Sequence, residues 1–211
     1  MSKKIIGLLV MDYGTPASLD DVKTYYTHIR RGNPPTPEKL KELKHRYAAI
    51  GGVSPLTERT RAQIIGLEQV LNEQIDHIQF KAYSGKKHVY PFITDAVKQM
   101  VEDGIEEAVG IVLAPHYSTM SVGAYNKYAH EAAEKFGLKK LTLVNQWHLD
   151  PEFIDALVSR MKEVLSKFPE VSNDEIKVLF TAHSLPKRIL QMNDPYPEQL
   201  LETSRAIADK V

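Results

Sequence analysis

The 211-residue sequence contains no cysteine, which excludes disulfide bonds, thiolate metal sites and cysteine-ligated iron–sulfur clusters. It also lacks net charge, because 27 basic residues balance 27 acidic ones, and this argues against nucleic acid or an anionic membrane as a partner. No apolar run approaches the ~20 residues of a membrane-spanning helix, so no transmembrane segment is expected. Residues 1–7 run straight into a strand pattern rather than a signal peptide, and we expect a cytoplasmic protein.

Strand and helix patterns alternate along the chain, which favours an α/β fold. Residues 4–11 form a continuous apolar run, typical of a parallel strand that is buried on both faces. Strands separated by helices indicate βαβ units and parallel sheets. Further strands are predicted at 78–84, 108–114, 141–145 and 176–182, and helices at 18–31, 37–50, 56–74, 92–102, 122–136, 151–168 and 197–211.

The stretch around Pro115 suggests a passage between two such sheets, so we predict two lobes, 1–114 and 115–211. After the last predicted helix no strand follows, although α/β domains usually complete the unit. The second lobe is therefore expected to be incomplete, as in a fragment or in a chain that needs a partner.

Two polar rings follow predicted strands. Tyr13 ends the first strand, and His183 ends the strand predicted at 176–182. In an open parallel sheet, ligands bind outside the carboxyl ends of the strands. A histidine there can bind a metal or take up a proton near neutral pH, but a structural strand-end histidine explains the pattern of His183 equally well.

Basic and aromatic residues concentrate at two other places. The run Tyr25–Gly32 suits a solvated basic face with buried tyrosines as well as a binding surface. Arg46 ends a predicted helix, where its charge suits the helix dipole. The glycine pair Gly51-Gly52, however, lets the following loop pass close to a ligand.

Taken together, these segments resemble the ferrochelatase family, specifically its bacterial coproporphyrin branch. The resemblance covers the whole chain and implies two Rossmann-like lobes, with a porphyrin held in the cleft between them. Its carriers are GLLVMDYGTP (7–16), YYTHIRRG (25–32), RYAAIGGVSPL (46–56), FKAYSGKKH (80–88), VLAPHYST (112–119), TAHSLP (181–186) and NDPYP (193–197).

The resemblance also implies roles for individual residues. His183 matches the histidine taken to bind iron and to assist removal of pyrrole protons, and Tyr13 matches a tyrosine that faces the porphyrin centre. Guanidinium groups can pair with the porphyrin's propionates, and tyrosines offer flat faces with a polar tip. The implied porphyrin-binding residues are Tyr13, Arg30, Arg46, Tyr47, Ser54 and Tyr125.

The implied reaction inserts Fe(II) into a porphyrin, with coproporphyrin III as the expected substrate, in haem biosynthesis. A chelatase of this kind is expected to bind the macrocycle distorted, which lowers the barrier to insertion. No cofactor is expected beyond the substrate Fe(II). Transient contact with other haem-pathway enzymes is a further expectation.

The sequence departs from the family pattern at several points. Asp12 stands where a small apolar residue is usual, and its carboxylate either perturbs the neighbouring phenol or points away into solvent. Ser84 and Lys86 also replace more apolar residues. The family continues beyond Val211 and there carries a glutamate opposite the histidine, to which no glutamate of this chain can be matched.

Two other histidines are weaker candidates for a functional role. His88 follows Lys86-Lys87 and fits a surface residue better than a ligand, whereas His116 could line the pocket or be a hydrogen-bonded packing residue.

Two rival functions stay open. One is a non-catalytic tetrapyrrole- or haem-binding fragment, and the other is a chelatase for another divalent metal, such as cobalt or nickel.

Overall fold

The computed structural model describes residues 3–168, 170, 172 and 175–211. The described elements alternate between strands and helices, as predicted for an α/β protein. In chain order they are β1 (Lys4–Asp12), α1 (Val22–Ile29), α2 (Pro37–Ala49), α3 (Leu56–Gln74), β2 (Ile78–Lys86), α4 (Ile93–Glu102), β3 (Glu107–Val112), α5 (Val122–Phe136), β4 (Lys140–Val144), α6 (Pro151–Leu165), a 3-10 helix (Lys187–Met192) and α7 (Tyr196–Ala208).

The four strands form one parallel sheet in the order β2-β1-β3-β4. Strand β1 is central, and it is buried along most of its length because helices cover the sheet. Leu8 and Val10 pack with Phe80 against apolar side chains of α3. The predicted α/β class with a parallel sheet flanked by helices is confirmed.

Local capping sets where two of the helices begin. The Thr36 side chain accepts a hydrogen bond from the backbone N–H of Lys39 at the start of α2. At the start of α6, Asp150 Oδ1 accepts from the N–H groups of Glu152 and Phe153. In both cases proline follows at the first helical position, where its missing N–H costs nothing.

The chain divides into two compact units. The first comprises Met1–Leu113 and Tyr125–Val144, and the second comprises Ala114–Ala124 and Asn145–Val211. The sheet belongs to the first unit, whereas α6 and α7 pack on each other in the second through Ile154, Val158 and Ile207. The predicted lobes, 1–114 and 115–211, stay a prediction.

No helix among the described residues is long and apolar enough to cross a membrane.

The strand predicted at 176–182 is not formed. These residues are irregular and mostly exposed, and 84% of the Leu179 surface is accessible. The apolar pattern is typical of a strand, but a strand also needs a neighbour that accepts and donates its backbone hydrogen bonds. Within the described residues no strand pairs with this segment.

Candidate functional site

The loops that follow β1 and β2 are hydrogen-bonded to each other beyond the ends of the strands. The backbone N–H of Lys87 donates to the carbonyl oxygen of Asp12 at 2.9 Å, and that of His88 donates to the carbonyl oxygen of Tyr13 at 3.2 Å. Backbone hydrogen bonding between the two segments therefore continues past the carboxyl ends of the strands, which is where ligands bind in such folds. As a result, the rings of Tyr13 and His88 lie together, with centroids 4.4 Å apart.

Gly14 allows the chain to turn directly after Tyr13. Its φ of +78° is a backbone conformation that residues with a side chain rarely adopt. A Cβ atom at this position would also lie 2.5 Å from Cγ2 of Val89. The glycine is therefore required both by the backbone conformation and by the space available between the two loops.

His28 of α1 lies against His88, and their Nδ1 atoms are 3.0 Å apart. His28 also stacks on Phe92, with ring centroids 5.0 Å apart. Burial, together with the charges of Lys87 and His28, lowers the pKa of His88 to about 4, so its imidazole is neutral at neutral pH. His88 is partly buried among aromatic rings, and the prediction that it is not a ligand stays a prediction.

Tyr125 of α5 reaches the same loops. Its side chain is buried, and burial, followed by the negative charge of Asp12, raises the pKa of the phenol. The ammonium nitrogen of Lys87 lies 4.7 Å from the centre of the Tyr125 ring, a cation–π contact. Burial also lowers the pKa of this ammonium group. A protonated phenol and a partly desolvated lysine thus lie near Tyr13.

Tyr47 and Ser54 occupy different surroundings. The Tyr47 hydroxyl of α2 hydrogen-bonds with Oγ1 of Thr15 at 3.2 Å, which joins α2 to the loop after β1. Oγ of Ser54 accepts the backbone N–H of Leu56 at 3.2 Å at the start of α3. Tyr47 is therefore brought to the β1 loop, whereas the Ser54 hydroxyl is engaged in the local turn.

The two predicted arginines are held by neighbours in their own segments. Nε of Arg30 donates to the carbonyl oxygen of Asn33 at 3.2 Å, and its guanidinium lies 5.7 Å from the centre of the Tyr26 ring. Arg46 is exposed and pairs with Glu42 one helical turn earlier. Exposed pairs of this kind are weak, so either guanidinium can exchange its partner for an anionic ligand.

A cavity of about 450 Å³ opens beside these loops, within the first unit. Aromatic rings form much of its wall, and Lys86 and Asp21 contribute one charge of each sign. Such a wall suits a flat, partly apolar ligand. The lining includes Thr15, Tyr25, His28, Lys86, His88 and Phe92.

His183 lies in the second unit, whereas every other predicted site residue lies in the first. Its side chain is exposed, and its backbone carbonyl accepts a hydrogen bond from the Tyr196 hydroxyl at 3.1 Å. Because the segment before it is irregular, His183 does not stand at the end of a strand as predicted. Among the described residues, no group of three or more acidic and histidine side chains is arranged to hold a metal ion. A role of His183 towards iron stays a prediction.

The second unit contains a polar cluster that the sequence indicated only in part. Nε2 of His116 lies 2.9 Å from Oγ1 of Thr203, which in turn lies 3.1 Å from the carbonyl oxygen of His148. His148 is 4% exposed, and its Nε2 pairs with Glu202 Oε2 at 2.8 Å. His116 is thus a hydrogen-bonded residue. His148 was not singled out from the sequence. Its position soon after β4 is nevertheless the same signal that pointed to Tyr13, a polar ring that follows a strand.

An apolar groove of about 1120 Å³ lies within the second unit, between α6, α7 and the irregular segment 176–182. Its walls are mostly aliphatic and aromatic, although Arg160 and Lys177 are among the lining residues. An exposed apolar surface of this kind is unusual for a soluble monomer. The lining includes Leu157, Met161, Val178, Phe180, Leu201 and Ile207.

Comparison with known proteins agrees with the resemblance seen in the motifs. The family model for ferrochelatase matches residues 5–211. The coproporphyrin III ferrochelatase of Bacillus subtilis is 53% identical over 209 residues, which are 99% of this chain and 67% of that protein. That of Listeria monocytogenes serotype 4b is 51% identical over 211 residues, which are 100% of this chain and 68% of that protein. The chain thus spans about two thirds of the length of these curated relatives.

Proposed function

The chain belongs to the ferrochelatase family, and on this premise we propose that it binds coproporphyrin III and serves to insert Fe(II) into it. The observation that carries the proposal is the joined pair of loops after β1 and β2. They hold Tyr13 against His88 and bring Lys87 over Tyr125, at the sheet edge where a ligand is expected.

The first part of the function is porphyrin binding. The rings of Tyr13 and Tyr47 offer flat, partly apolar faces to the macrocycle, and the buried ring of Tyr125 supports this wall from behind. Arg30 and Arg46 pair with propionate carboxylates, because a guanidinium fork matches a carboxylate in two hydrogen bonds. A porphyrin with four carboxylates gains more from these cations than one with two, which supports coproporphyrin III as the substrate.

The second part is the metal exchange. Two pyrrole N–H bonds break, iron–nitrogen bonds form, and two protons leave the macrocycle, so the site needs proton acceptors. His183 offers an exposed imidazole, which accepts a proton or delivers Fe(II). Tyr13 faces the porphyrin centre in this proposal, with the neutral imidazole of His88 beside it. No resident cofactor is needed, since Fe(II) enters as a substrate.

A second candidate function is porphyrin binding without metal insertion. It is favoured by the position of His183, which lies in an exposed irregular segment and not at a strand end. A chelatase that prefers another divalent metal is a variant of the first proposal, because one imidazole suits several such ions. A cytoplasmic location and transient contact with other haem-pathway enzymes complete the proposal.

Anaerobic titration of the purified chain with coproporphyrin III tests these functions. Binding is followed by porphyrin fluorescence, and insertion by the absorbance change after addition of Fe(II), with Zn(II) and Co(II) in parallel. We expect saturable binding followed by catalytic turnover with Fe(II). Binding without turnover for every metal would support the second candidate, and a chain that does not bind porphyrin would rule out both.

A further inference from the structure

Asp12 and Lys86 are departures from the family motif that lie at the candidate site, and Asp12 is the buried one. Its carboxyl group is buried, with 6% of the residue exposed. Oδ1 accepts the backbone N–H of Gly14 at 2.5 Å, across the turn that carries Tyr13. The predicted alternative in which this carboxylate points into solvent is therefore wrong.

The second oxygen of Asp12 has no hydrogen-bonding partner among the described residues. A single acceptor oxygen would be enough to hold the Gly14 N–H, and an asparagine or serine side chain supplies one. Burying a further carboxylate oxygen without a partner costs folding free energy, and such a group calls for an explanation. The turn alone does not explain why a carboxyl group is present.

Charged and titratable groups face Asp12 from β2, from α5 and from its own loop. Lys86 on β2 is its partner in the strand register and favours the ionised form. Tyr125 on α5 responds in the opposite sense, because the negative charge of Asp12 raises the pKa of its phenol. Tyr13 is the next residue of the loop. Burial is the largest influence on Asp12 itself and raises the pKa of its carboxyl group.

We propose that Asp12 is a positioning residue for Tyr13. When the Asp12 carboxylate is ionised, its Oδ1 holds the turn through the Gly14 N–H. When the unpartnered Oδ2 takes up a proton, this hydrogen bond weakens and the turn loosens. A hydrogen bond to a charged carboxylate is roughly twice as strong as one to a neutral acceptor, so the turn is tightest when Asp12 is ionised. The Tyr13 ring then changes its contact with His88 as Asp12 titrates.

The effect on porphyrin affinity rests on the proposed function, but the coupling between Asp12 and Tyr13 does not. The ligand-free chain carrying ¹³Cζ-labelled tyrosine is titrated by NMR, and the Tyr13 signal is assigned with Tyr13→Phe. We expect this signal to shift with a midpoint above the ordinary range of an aspartate, and the transition to vanish in Asp12→Asn and Asp12→Ala. The control Asp20→Asn removes a fully exposed side chain and should leave the transition unchanged.

Coproporphyrin III affinity is then measured for the same variants at a pH above and a pH below the midpoint of the Tyr13 transition. Above the midpoint, wild-type protein should bind coproporphyrin III a few-fold more tightly than Asp12→Asn. Below the midpoint the two affinities should converge, because both side chains are then uncharged. A Tyr13 signal that does not titrate, or that titrates equally in Asp12→Asn, would overturn the inference. Absence of porphyrin binding in wild-type protein would instead contradict the proposed function, because the NMR titration decides on Asp12 without any ligand.

Discussion

The Nδ1 atoms of His28 and His88 lie 3.0 Å apart, so one imidazole must donate a proton to the other. Two protonated rings cannot share this contact, because each nitrogen would then carry a hydrogen and a positive charge. The pair therefore joins α1 to the loop after β2 only while at least one ring is neutral. Protonation of both rings at low pH should therefore weaken the contact between α1 and the loop after β2.

Lowering the pH should destabilise the first unit through His88. Its folded pKa of about 4 lies below the ordinary value of 6.5, so protons bind preferentially to the unfolded state as the pH falls from the ordinary value towards the folded one. Stability is unaffected above this window and decreases within it, by roughly 1–3 kcal/mol. Urea unfolding across this range should show the loss in wild-type protein and less of it in His88→Gln. The exposed His130→Gln serves as the control and should behave like wild type.

Replacement of His183 with alanine should abolish Fe(II) insertion but leave coproporphyrin III binding within a few-fold. The imidazole is exposed and carries the proposed exchange of iron and protons, whereas the proposed porphyrin wall belongs to the first unit. Turnover and fluorescence titrations on the same preparation separate the two effects. Equal loss of binding and turnover would instead indicate a structural histidine.

Arg30→Ala and Arg46→Ala should act mainly on substrate binding. Because the guanidinium groups are proposed to pair with propionates, KM should rise more than kcat falls. The preference for a porphyrin with four carboxylates over one with two should decrease as well. Arg61→Ala, an exposed arginine on α3, is the matched control. Unchanged affinity and selectivity in both variants would show that these arginines do not contact the porphyrin.

Gly14→Ala should destabilise the protein and weaken porphyrin binding, because the new Cβ would meet Val89 and the positive φ would be strained. We expect a loss of about 1–3 kcal/mol in the free energy of unfolding. Gly66→Ala is a matched control in the interior of α3, where a Cβ meets no atom within 4 Å. That change should stabilise the chain by about 0.5–1 kcal/mol, since alanine favours a helix over glycine.

The apolar groove of the second unit should make the 211-residue chain self-associate. Leu179 is 84% exposed beside this groove, and the irregular segment 176–182 presents backbone groups as well as apolar surface. Light scattering should show oligomers at high concentration, and an apolar dye should bind. Leu179→Lys should reduce both signals, whereas Val53→Lys, an exposed apolar position in the first unit, should not. A monomeric chain that binds no dye would contradict this expectation.

Most of the first unit could be predicted from the sequence because its signals are local. The apolar run at 4–11 became β1, and the helix predicted at 37–50 became α2. The prediction of a strand at 176–182 was wrong because a strand does not depend on local signals alone. Its pattern is local, but a strand exists only with a paired neighbour, and periodicity says nothing about that neighbour.

The candidate site could be predicted in part. Tyr13, Tyr47 and Tyr125 converge on the β1 loop, whereas their role in porphyrin binding stays a prediction. His88 was undervalued because two preceding lysines suggested a surface position. His88 lies beside Tyr13 because backbone hydrogen bonds between β1 and β2 continue into the loops after these strands. The two strands are far apart in sequence, so no local pattern reveals this contact.

The backbone hydrogen bonds from Lys87 to Asp12 and from His88 to Tyr13 have a consequence for how this site can diversify. Two loops tied in this way respond together, so a substitution in one alters the geometry of the other. Effects of paired substitutions across them should be strongly epistatic, since neighbouring residues rarely contribute additively. A new ligand preference at this wall therefore requires coordinated changes in both loops, and single replacements should mostly lose affinity without gaining selectivity.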